Sequence, residues 1–404
     1  MSDQGAPVSD TKQATGAEQA ERAGEAFLEA ERKTIDRLLP GLDERLAGHP
    51  LEELESRESP AIEYFRESGA SNILIPSEYD GVGATAVEAL RVQRAIGSRA
   101  PSLAIAATMH SFSLAGLLAL AAETEEKDSV EWMLLQGLAQ NKLLVASGFA
   151  EGKSGQGLFA PTMRARRDGE NWLLSGSKKP CSLAYSMDLM ATSCAMEGDG
   201  GEFEGYAIAV VSSQLPGIEV EPFWSAPVLT GAQSECVTLR DVEIHDELMI
   251  RMGEDDGTGL DDLQTIGVVW FELLMTASYL GMASALVERV LKEGKSDANS
   301  KVQVAYEIEA SMAALESVGH EIDGGRNVVE LALRSVLVRY AAQDAIARAA
   351  ASSVEQLGGM AFIGSRDVGY LAAATRALAF HPPPRLRSGD ALLEALHGAE
   401  LAVA

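Results

Sequence analysis

Hydrophobic residues recur at spacings of three and four through the first third of the chain. Three segments show this period most clearly: residues 23–46, 86–98 and 129–142. The spacing is that of an amphipathic helix, so we predict an N-terminal helical domain over residues 21–142. A loop is predicted between the first two helical segments, because Pro76, Gly81 and Gly83 lie close together there.

Near residue 143 the hydrophobic period changes from helical to partly alternating. Six short segments follow, separated by Gly, Asp and Asn: residues 143–150, 162–179, 188–196, 205–213, 217–223 and 235–250. Alternation with a period of two predicts strands, and "RRDGENW" at 166–172 is typical of a hairpin turn. We predict five or six strands that form a barrel or sandwich over residues 143–252.

The helical period returns after the Gly- and Asp-rich segment 253–262. Two of the later segments, 263–294 and 327–360, are apolar almost all round, which favours helices buried inside a bundle. We therefore predict a C-terminal helical bundle over residues 253–404. Residues 1–20 contain few apolar side chains, and we predict a mobile tail there. The predicted fold class is mainly α with a central β-domain.

Composition and charge narrow the possible partners. The chain has 404 residues, of which 46% are apolar, enough for a large core. Acidic residues outnumber basic ones 60 to 33, which argues against a nucleic-acid partner, because phosphate binding requires clustered Lys and Arg. Three cysteines without C-x-x-C spacing indicate free thiols and no metal site. With no signal-peptide pattern and no uninterrupted run of about 18 apolar residues, we predict a cytoplasmic protein without a membrane span.

The order of helices, strands and helices resembles the acyl-CoA dehydrogenase family over residues 23–380. Four segments carry the resemblance: residues 75–85, 143–157, 176–188 and 352–362. The first, "IPSEYDGVGAT", is similar to the family's P-x-E-Y-G-G-x-G loop. The resemblance implies an N-terminal helical domain, a middle β-barrel or sandwich, a C-terminal four-helix bundle, an FAD cofactor, and assembly as a homodimer or homotetramer.

Two of these segments correspond to the part of the family's β-domain that contacts the flavin. "LLVASGFAEGKSGQG" resembles a stretch that ends T-E-P-x-x-G-S-D, with Ala150 in place of the Thr and Gln156 in place of the Ser. In "GSKKPCSLAYSMD", Cys181 replaces an Ile, and Ser182 keeps the hydroxyl that meets the flavin ring. The resemblance implies that these four residues and Phe149 contact the cofactor. The alternative for each segment is a plain turn or strand end.

A third match, "SSVEQLGGMAF", resembles the family's A-V-Q-x-L-G-G-x-G-[YF] motif. In the family, the Gln and the Gly pair approach the cofactor of a neighbouring subunit. The resemblance assigns that role to Gly358 and Gly359 and to Glu355 or Gln356, since Glu355 stands in the place of the Gln. Two glycines after a long helix also serve as a C-cap.

The catalytic Glu of the resembled family is missing from its usual place. That Glu removes an α-proton of an acyl thioester, and counting on from Arg376 places Arg385 at its position. Some members carry the base one position before the residue matched here by Glu272, which lies beside Trp270 and Phe271 in an apolar helix. A carboxylate is costly to bury there unless it is functional or paired. Glu272 is therefore a candidate base, and the alternative is an ion pair with an Arg of a neighbouring helix.

His381 is the second candidate base, because imidazole accepts protons near neutral pH and Pro382 to Pro384 restrain its backbone. The alternative is a histidine that caps the preceding helix. The main functional hypothesis is an FAD-dependent dehydrogenase of an acyl thioester, carried on CoA or a carrier protein, that passes electrons to an acceptor flavoprotein. The alternatives are a flavin-dependent hydroxylase or N-oxygenase that uses O₂, and a non-catalytic homologue.

Overall fold

A computed structural model describes residues 26–123, 126, 129–152, 161–198, 200–252, 262–399 and 401. Seven α-helices precede the first strand within these ranges: α1 (Glu29–Leu38), α2 (Leu42–Ala47), α3 (Leu51–Leu54), α4 (Ala61–Glu67), α5 (Ala86–Arg99), α6 (Pro101–Ala122) and α7 (Val130–Asn141). The start of α5 follows from its sequence, because Thr85 and Glu88 form a reciprocal capping box. The predicted tail over residues 1–20 lies outside the described residues.

Eight strands form one mixed sheet: β1 (Val145–Gly148), β2 (Arg164–Asp168), β3 (Asn171–Cys181), β4 (Leu189–Glu197), β5 (Phe203–Ser212), β6 (Ile218–Glu221), β7 (Glu235–His245) and β8 (Met249–Arg251). Their order is β6-β7-β3-β2-β4-β5-β8, and β1 pairs with β4 in parallel. The hairpin predicted from "RRDGENW" joins β2 to β3, with Gly169 at φ 63°. The prediction of five or six strands was too low, because segments 162–179 and 235–250 each contain two strands.

The chain after the sheet is helical again: α8 (Asp262–Glu293), α9 (Ala298–Asp323), α10 (Ala332–Leu357), α11 (Gly359–Gly364), α12 (Arg366–Ala374) and α13 (Gly389–Leu396). Helix α8 packs against α5, α6, α9 and α10. It approaches α5 closely through Gly281, where a Cβ atom would lie 2.3 Å from the carbonyl oxygen of Arg94. The observed order confirms the predicted fold class, mainly α with a central β-domain.

Helices α6 and α8 are long and apolar enough to span a membrane by length and composition alone. The most apolar stretch of α8 is 83% buried in the fold, and that of α6 is 56% buried. Burial of this extent explains the hydrophobicity of α8 as that of a core helix. The less buried face of α6 lines a cavity, which is the candidate functional site.

Candidate functional site

A cavity of about 210 Å³ lies between α6, the β-domain, the first half of α8 and the segment 381–383. Its walls are apolar except for a few serines, Gln264 and His381. His381 is the one titratable side chain among the described residues that line it. Within the described part of the chain, no group of three or more His, Cys, Asp or Glu side chains is arranged to hold a metal ion.

A row of aromatic rings crosses the cavity wall from the β-domain to the Pro-rich segment. Phe149, just after β1, lies 5.6 Å from the ring of Phe112 on α6. Phe112 lies 5.8 Å from Phe271 on α8, and Phe271 lies 5.9 Å from the ring of His381. These contacts join the three regions of the chain around one apolar space.

Hydroxyl groups of the β-domain provide most of the polarity of the cavity. Ser182 and Ser234 both line it, and their Oγ atoms lie 2.9 Å apart. Ser147 on β1 also lines it, and its buried Oγ has no hydrogen-bond partner among the described residues. A buried hydroxyl without a partner is costly, so Ser147 is available to a bound molecule.

Ala150 lines the cavity, and a backbone hydrogen bond and a buried ion pair hold it and the next residue against β3. Its carbonyl accepts a hydrogen bond of 2.8 Å from the backbone N–H of Lys179. The next residue, Glu151, pairs with the buried ammonium of Lys178 at 2.9 Å. Burial raises the pKa of Glu151, but hydrogen bonds, chiefly from Thr162 and Lys178, outweigh it and lower the pKa to about 2. Glu151 is therefore a charged structural anchor.

The structure separates the other residues predicted to meet the flavin. Phe149 and Ser182 line the cavity together with Ala150, whereas Cys181 is fully buried and does not line it. Burial raises the pKa of the Cys181 thiol to about 12, so it stays protonated. Gln156 lies outside the described residues. Sequence reasoning missed Trp224, which lies on the cavity wall beyond β6.

His381 lies where the chain leaves the 3₁₀ helix Thr375–Phe380. Its Nε2 atom is 2.9 Å from the hydroxyl of Tyr279 on α8, and its Nδ1 atom has no hydrogen bond within the described residues. Burial and, to a smaller extent, the guanidinium of Arg339 lower the pKa of His381 to about 3. The imidazole is therefore neutral at physiological pH and retains one free acceptor or donor nitrogen.

Glu272, the other predicted base, is fully buried but does not line the cavity. Its Oε2 atom lies 2.5 Å from Nε of Arg339 on α10, whose side chain is 1% exposed. Burial raises the pKa of Glu272, and the guanidinium opposes that rise. The geometry matches the alternative left open by the sequence, an ion pair with an Arg of a neighbouring helix. Arg385 does not line the cavity and pairs with Asp344 at 2.6 Å.

The segment that resembles the family's cofactor-approaching motif lies away from the cavity of its own chain. Glu355 is exposed, and Gln356 is bonded to Ser296 at 2.6 Å and to the carbonyl oxygen of Ser300 at 3.1 Å. Gly358 adopts φ 81° at the end of α10, and Gly359 begins α11. None of these four residues lines the cavity of its own chain.

Comparisons with known proteins identify the class to which this fold belongs. No protein-family model matches the chain. Acyl-CoA dehydrogenase FadE12 of Mycobacterium tuberculosis is 23% identical over 338 residues, which cover 78% of this chain and 82% of that protein. The solved structure of KijD3 with FMN and dTDP-3-amino-2,3,6-trideoxy-4-keto-3-methyl-D-glucose has a TM-score of 0.73 at 17% identity, covering 93% of each chain. The chain belongs to the acyl-CoA dehydrogenase family of flavin-dependent enzymes.

A third comparison gives a higher sequence identity over nearly the whole chain. Isobutylamine N-hydroxylase of Streptomyces viridifaciens is 40% identical over 376 residues, which cover 93% of this chain and 99% of that protein. This likeness supports the hydroxylase or N-oxygenase alternative better than the main hypothesis of thioester desaturation.

Sequence reasoning missed Arg339, Tyr279, Ser147 and Ser234. A lone Arg inside the apolar run "SVLVRYAA" was the available signal for Arg339, because a buried cation requires a partner. Ser147 and Ser234 gave no such signal, since isolated serines are common at strand ends.

Proposed function

We propose that the protein is a flavin-dependent monooxygenase that N-hydroxylates an aliphatic primary amine. One observation carries the proposal: among the described residues that line the cavity there is no carboxylate, and the only titratable group is the neutral imidazole of His381. Removal of a thioester α-proton requires a base of suitable pKa in contact with the substrate. Oxygen transfer to an amine requires no carboxylate there. The 40% identity to an N-hydroxylase supports the same conclusion.

The residues present fit a flavin against the β-domain wall. Pro180 and Trp224 offer flat apolar surfaces, and the hydroxyls of Ser147, Ser182 and Ser234 offer hydrogen bonds to a polar ring edge. Binding would give the unpartnered Oγ of Ser147 the hydrogen bond that it lacks. When bound in its reduced form, a flavin supplies the electrons that activate dioxygen. FAD stays the prediction from the resemblance, and binding measured separately with FMN and FAD tests it.

The cavity favours the reactive form of an amine. An apolar environment disfavours the ammonium ion, so burial lowers the pKa of the substrate and leaves the nitrogen lone pair free. The free nitrogen of His381 is too weak a base to hold a proton at neutral pH, but it can accept a hydrogen bond from an N–H of the amine and so orient the nitrogen lone pair. The proton that the nitrogen loses on oxidation passes to water. The amine nitrogen gains one oxygen atom and loses that proton, the second oxygen atom leaves as water, and reduced flavin provides the two electrons.

The experiment uses the purified protein with an NADH-dependent flavin reductase, flavin, O₂ and isobutylamine. We expect N-isobutylhydroxylamine, identified by mass spectrometry, to form only when all components are present. Anaerobic addition of acyl-CoA to the oxidised holoprotein is expected to leave the flavin absorbance unchanged. Anaerobic bleaching by acyl-CoA without any hydroxylamine formation would support the dehydrogenase hypothesis instead.

We also propose that the protein acts as a homodimer or homotetramer, as the family resemblance implies. Exposed apolar side chains in the C-terminal part of the chain support this: Met360 is 81% exposed, Ile363 79%, Phe380 84% and Leu386 97%. Exposed apolar groups of this size mark interaction surfaces. Light scattering coupled to size exclusion measures the assembly, and Met360→Glu combined with Ile363→Glu is expected to dissociate it.

A further inference from the structure

We propose that the buried Glu272–Arg339 ion pair is a positioning element that holds His381 and the proline segment against the cavity. The inference rests on the proposed amine oxidation, and it gives these two residues a role without contact with the substrate. Glu272 belongs to α8 and Arg339 to α10, so the pair bridges two helices beside the site.

The guanidinium of Arg339 faces three backbone carbonyls of the segment that carries His381. Its Nη1 atom lies 3.4 Å from the oxygen of Leu378 and 3.3 Å from that of His381, and its Nη2 atom donates to the oxygen of Pro383. The hydroxyl of Tyr340 donates to the same Pro383 oxygen at 2.9 Å. One side chain therefore fixes the backbone before, at and after the imidazole.

The segment 378–383 depends on Arg339 because its own backbone supplies few hydrogen-bond donors. Pro382, Pro383 and Pro384 have no backbone N–H and so donate nothing to the carbonyls around them. Of the three carbonyls that face Arg339, that of Leu378 also accepts a backbone hydrogen bond, from His381 at 3.3 Å. Arg supplies five N–H donors in a planar fork and no acceptor. Lys could supply a charge at one point but could not reach three carbonyls and a carboxylate together.

Glu272 completes the arrangement by neutralising the buried guanidinium. A buried Arg without a counter-charge is strongly unfavourable. Glu272 and Tyr279 lie seven residues apart on α8, which places them on one face of the helix. That face therefore fixes the imidazole twice, through Arg339 to its backbone and through Tyr279 to its Nε2 atom.

The test replaces both charged residues with methionine. Exchange of a buried ion pair for apolar side chains of similar size is often neutral for folding, so the Glu272→Met/Arg339→Met protein is expected to fold, as judged by circular dichroism and thermal unfolding. We expect kcat for isobutylamine to fall about tenfold to a hundredfold, as displacements near 1 Å do. KM should change less than about threefold, and release of hydrogen peroxide without product should rise. Wild-type kcat in the folded double variant would overturn the proposal.

Two further variants separate positioning from general loss of a buried ion pair. Glu31→Met/Arg94→Met removes another buried pair, with side chains 6% and 0% exposed, and should leave kcat unchanged. Arg339→Lys keeps the charge and should show the same defect as the double methionine variant, whereas rescue by Lys would contradict the role of the fork. If the double methionine variant does not fold, Glu272→Gln is measured instead, and the same fall in kcat is expected. An unchanged kcat there would refute the inference.

A readout without turnover distinguishes this inference from the proposed function. The chain has six histidines, and ¹⁵N-labelled imidazole signals can be assigned with a His381→Asn variant. In the wild type we expect His381 to show one neutral tautomer, and in the double methionine variant signals averaged between two. Absence of amine oxidation by the wild type would refute the function alone, while an unaltered His381 signal in the variant would refute the positioning role.

Discussion

Gly116 on α6 is predicted to set the length of the alkyl chain that the cavity accepts. It lines the cavity, and a Cβ atom built on it meets no heavy atom within 4 Å. The perturbation is Gly116→Leu, which projects four carbons into that open space. Leucine is also a better helix former than glycine by roughly 0.5–1 kcal/mol, so the variant is expected to fold at least as well as the wild type.

The expected effect follows from the apolar contacts that the leucine displaces. If it excludes two or three methylenes of a bound amine, at about 0.8 kcal/mol each, the substrate loses about 1.6–2.4 kcal/mol. That loss corresponds to a roughly 15- to 60-fold lower kcat/KM. We expect this loss for long n-alkylamines, while short ones that do not reach the new side chain should keep their kcat/KM.

The assay measures hydroxylamine formation from a homologous series of n-alkylamines at saturating reduced flavin and O₂. The matched control is Gly137→Leu on α7, where a Cβ atom also meets nothing within 4 Å but the residue does not line the cavity. The control should leave the whole series unchanged. A uniform fall across all chain lengths in Gly116→Leu, or the same profile in both variants, would refute the assignment.

Three further predictions concern the side chains of His381, His110 and Lys178. His381→Asn should lower kcat about tenfold to a hundredfold, because the amine loses the hydrogen bond that orients its lone pair, with the flavin Kd within about twofold; a Kd that rises with no change in kcat would contradict the role. His110 accepts a hydrogen bond from the N–H of Val145 and bonds to the carbonyl of Ser71, and burial lowers its pKa to about 4. The imidazole of His110 takes up a proton near pH 6.5 in the unfolded chain but only near pH 4 in the folded chain. The free energy of unfolding therefore falls as the pH drops below about 6.5. Urea denaturation should show about 1.6 kcal/mol lost between pH 6.5 and 5 that a His110→Gln variant does not lose. Lys178→Met should destabilise the protein by about 3 kcal/mol, since it leaves buried Glu151 without its cation, and an unchanged thermal midpoint would count against that anchor.

Local features of the fold could be predicted where a few adjacent residues decide the conformation. The hairpin at Gly169 depends on a turn within one short segment, and the start of α5 depends on Thr85 and Glu88. The strand count was low because segment 162–179 was counted as one strand although a hairpin turn was predicted within it, and because the division of segment 235–250 into two strands was not predicted. The hydrophobic period and the turn residues therefore predicted the order of helices and strands along the chain. They did not mark every division between neighbouring strands.

The candidate site was predictable only in part because its residues meet through tertiary packing. The apolar helix around Glu272 indicated a carboxylate with a special role, but only the packing of α8 against α10 showed Arg339 beside it. His381 could be selected because three prolines follow it, whereas its contact with Tyr279 had no local signal. Ser234 reaches Ser182 from a distant strand end, and no spacing along the chain predicts such a contact.

The central claim, oxygen transfer to an amine nitrogen, is tested most directly with isotopically labelled dioxygen. The holoenzyme is supplied with reduced flavin, isobutylamine and labelled O₂, and the product is examined by mass spectrometry. The proposed function predicts one labelled oxygen atom in the hydroxylamine and the other in water. A hydroxylamine without label, or O₂ consumption that yields only hydrogen peroxide while acyl-CoA is desaturated, would contradict it.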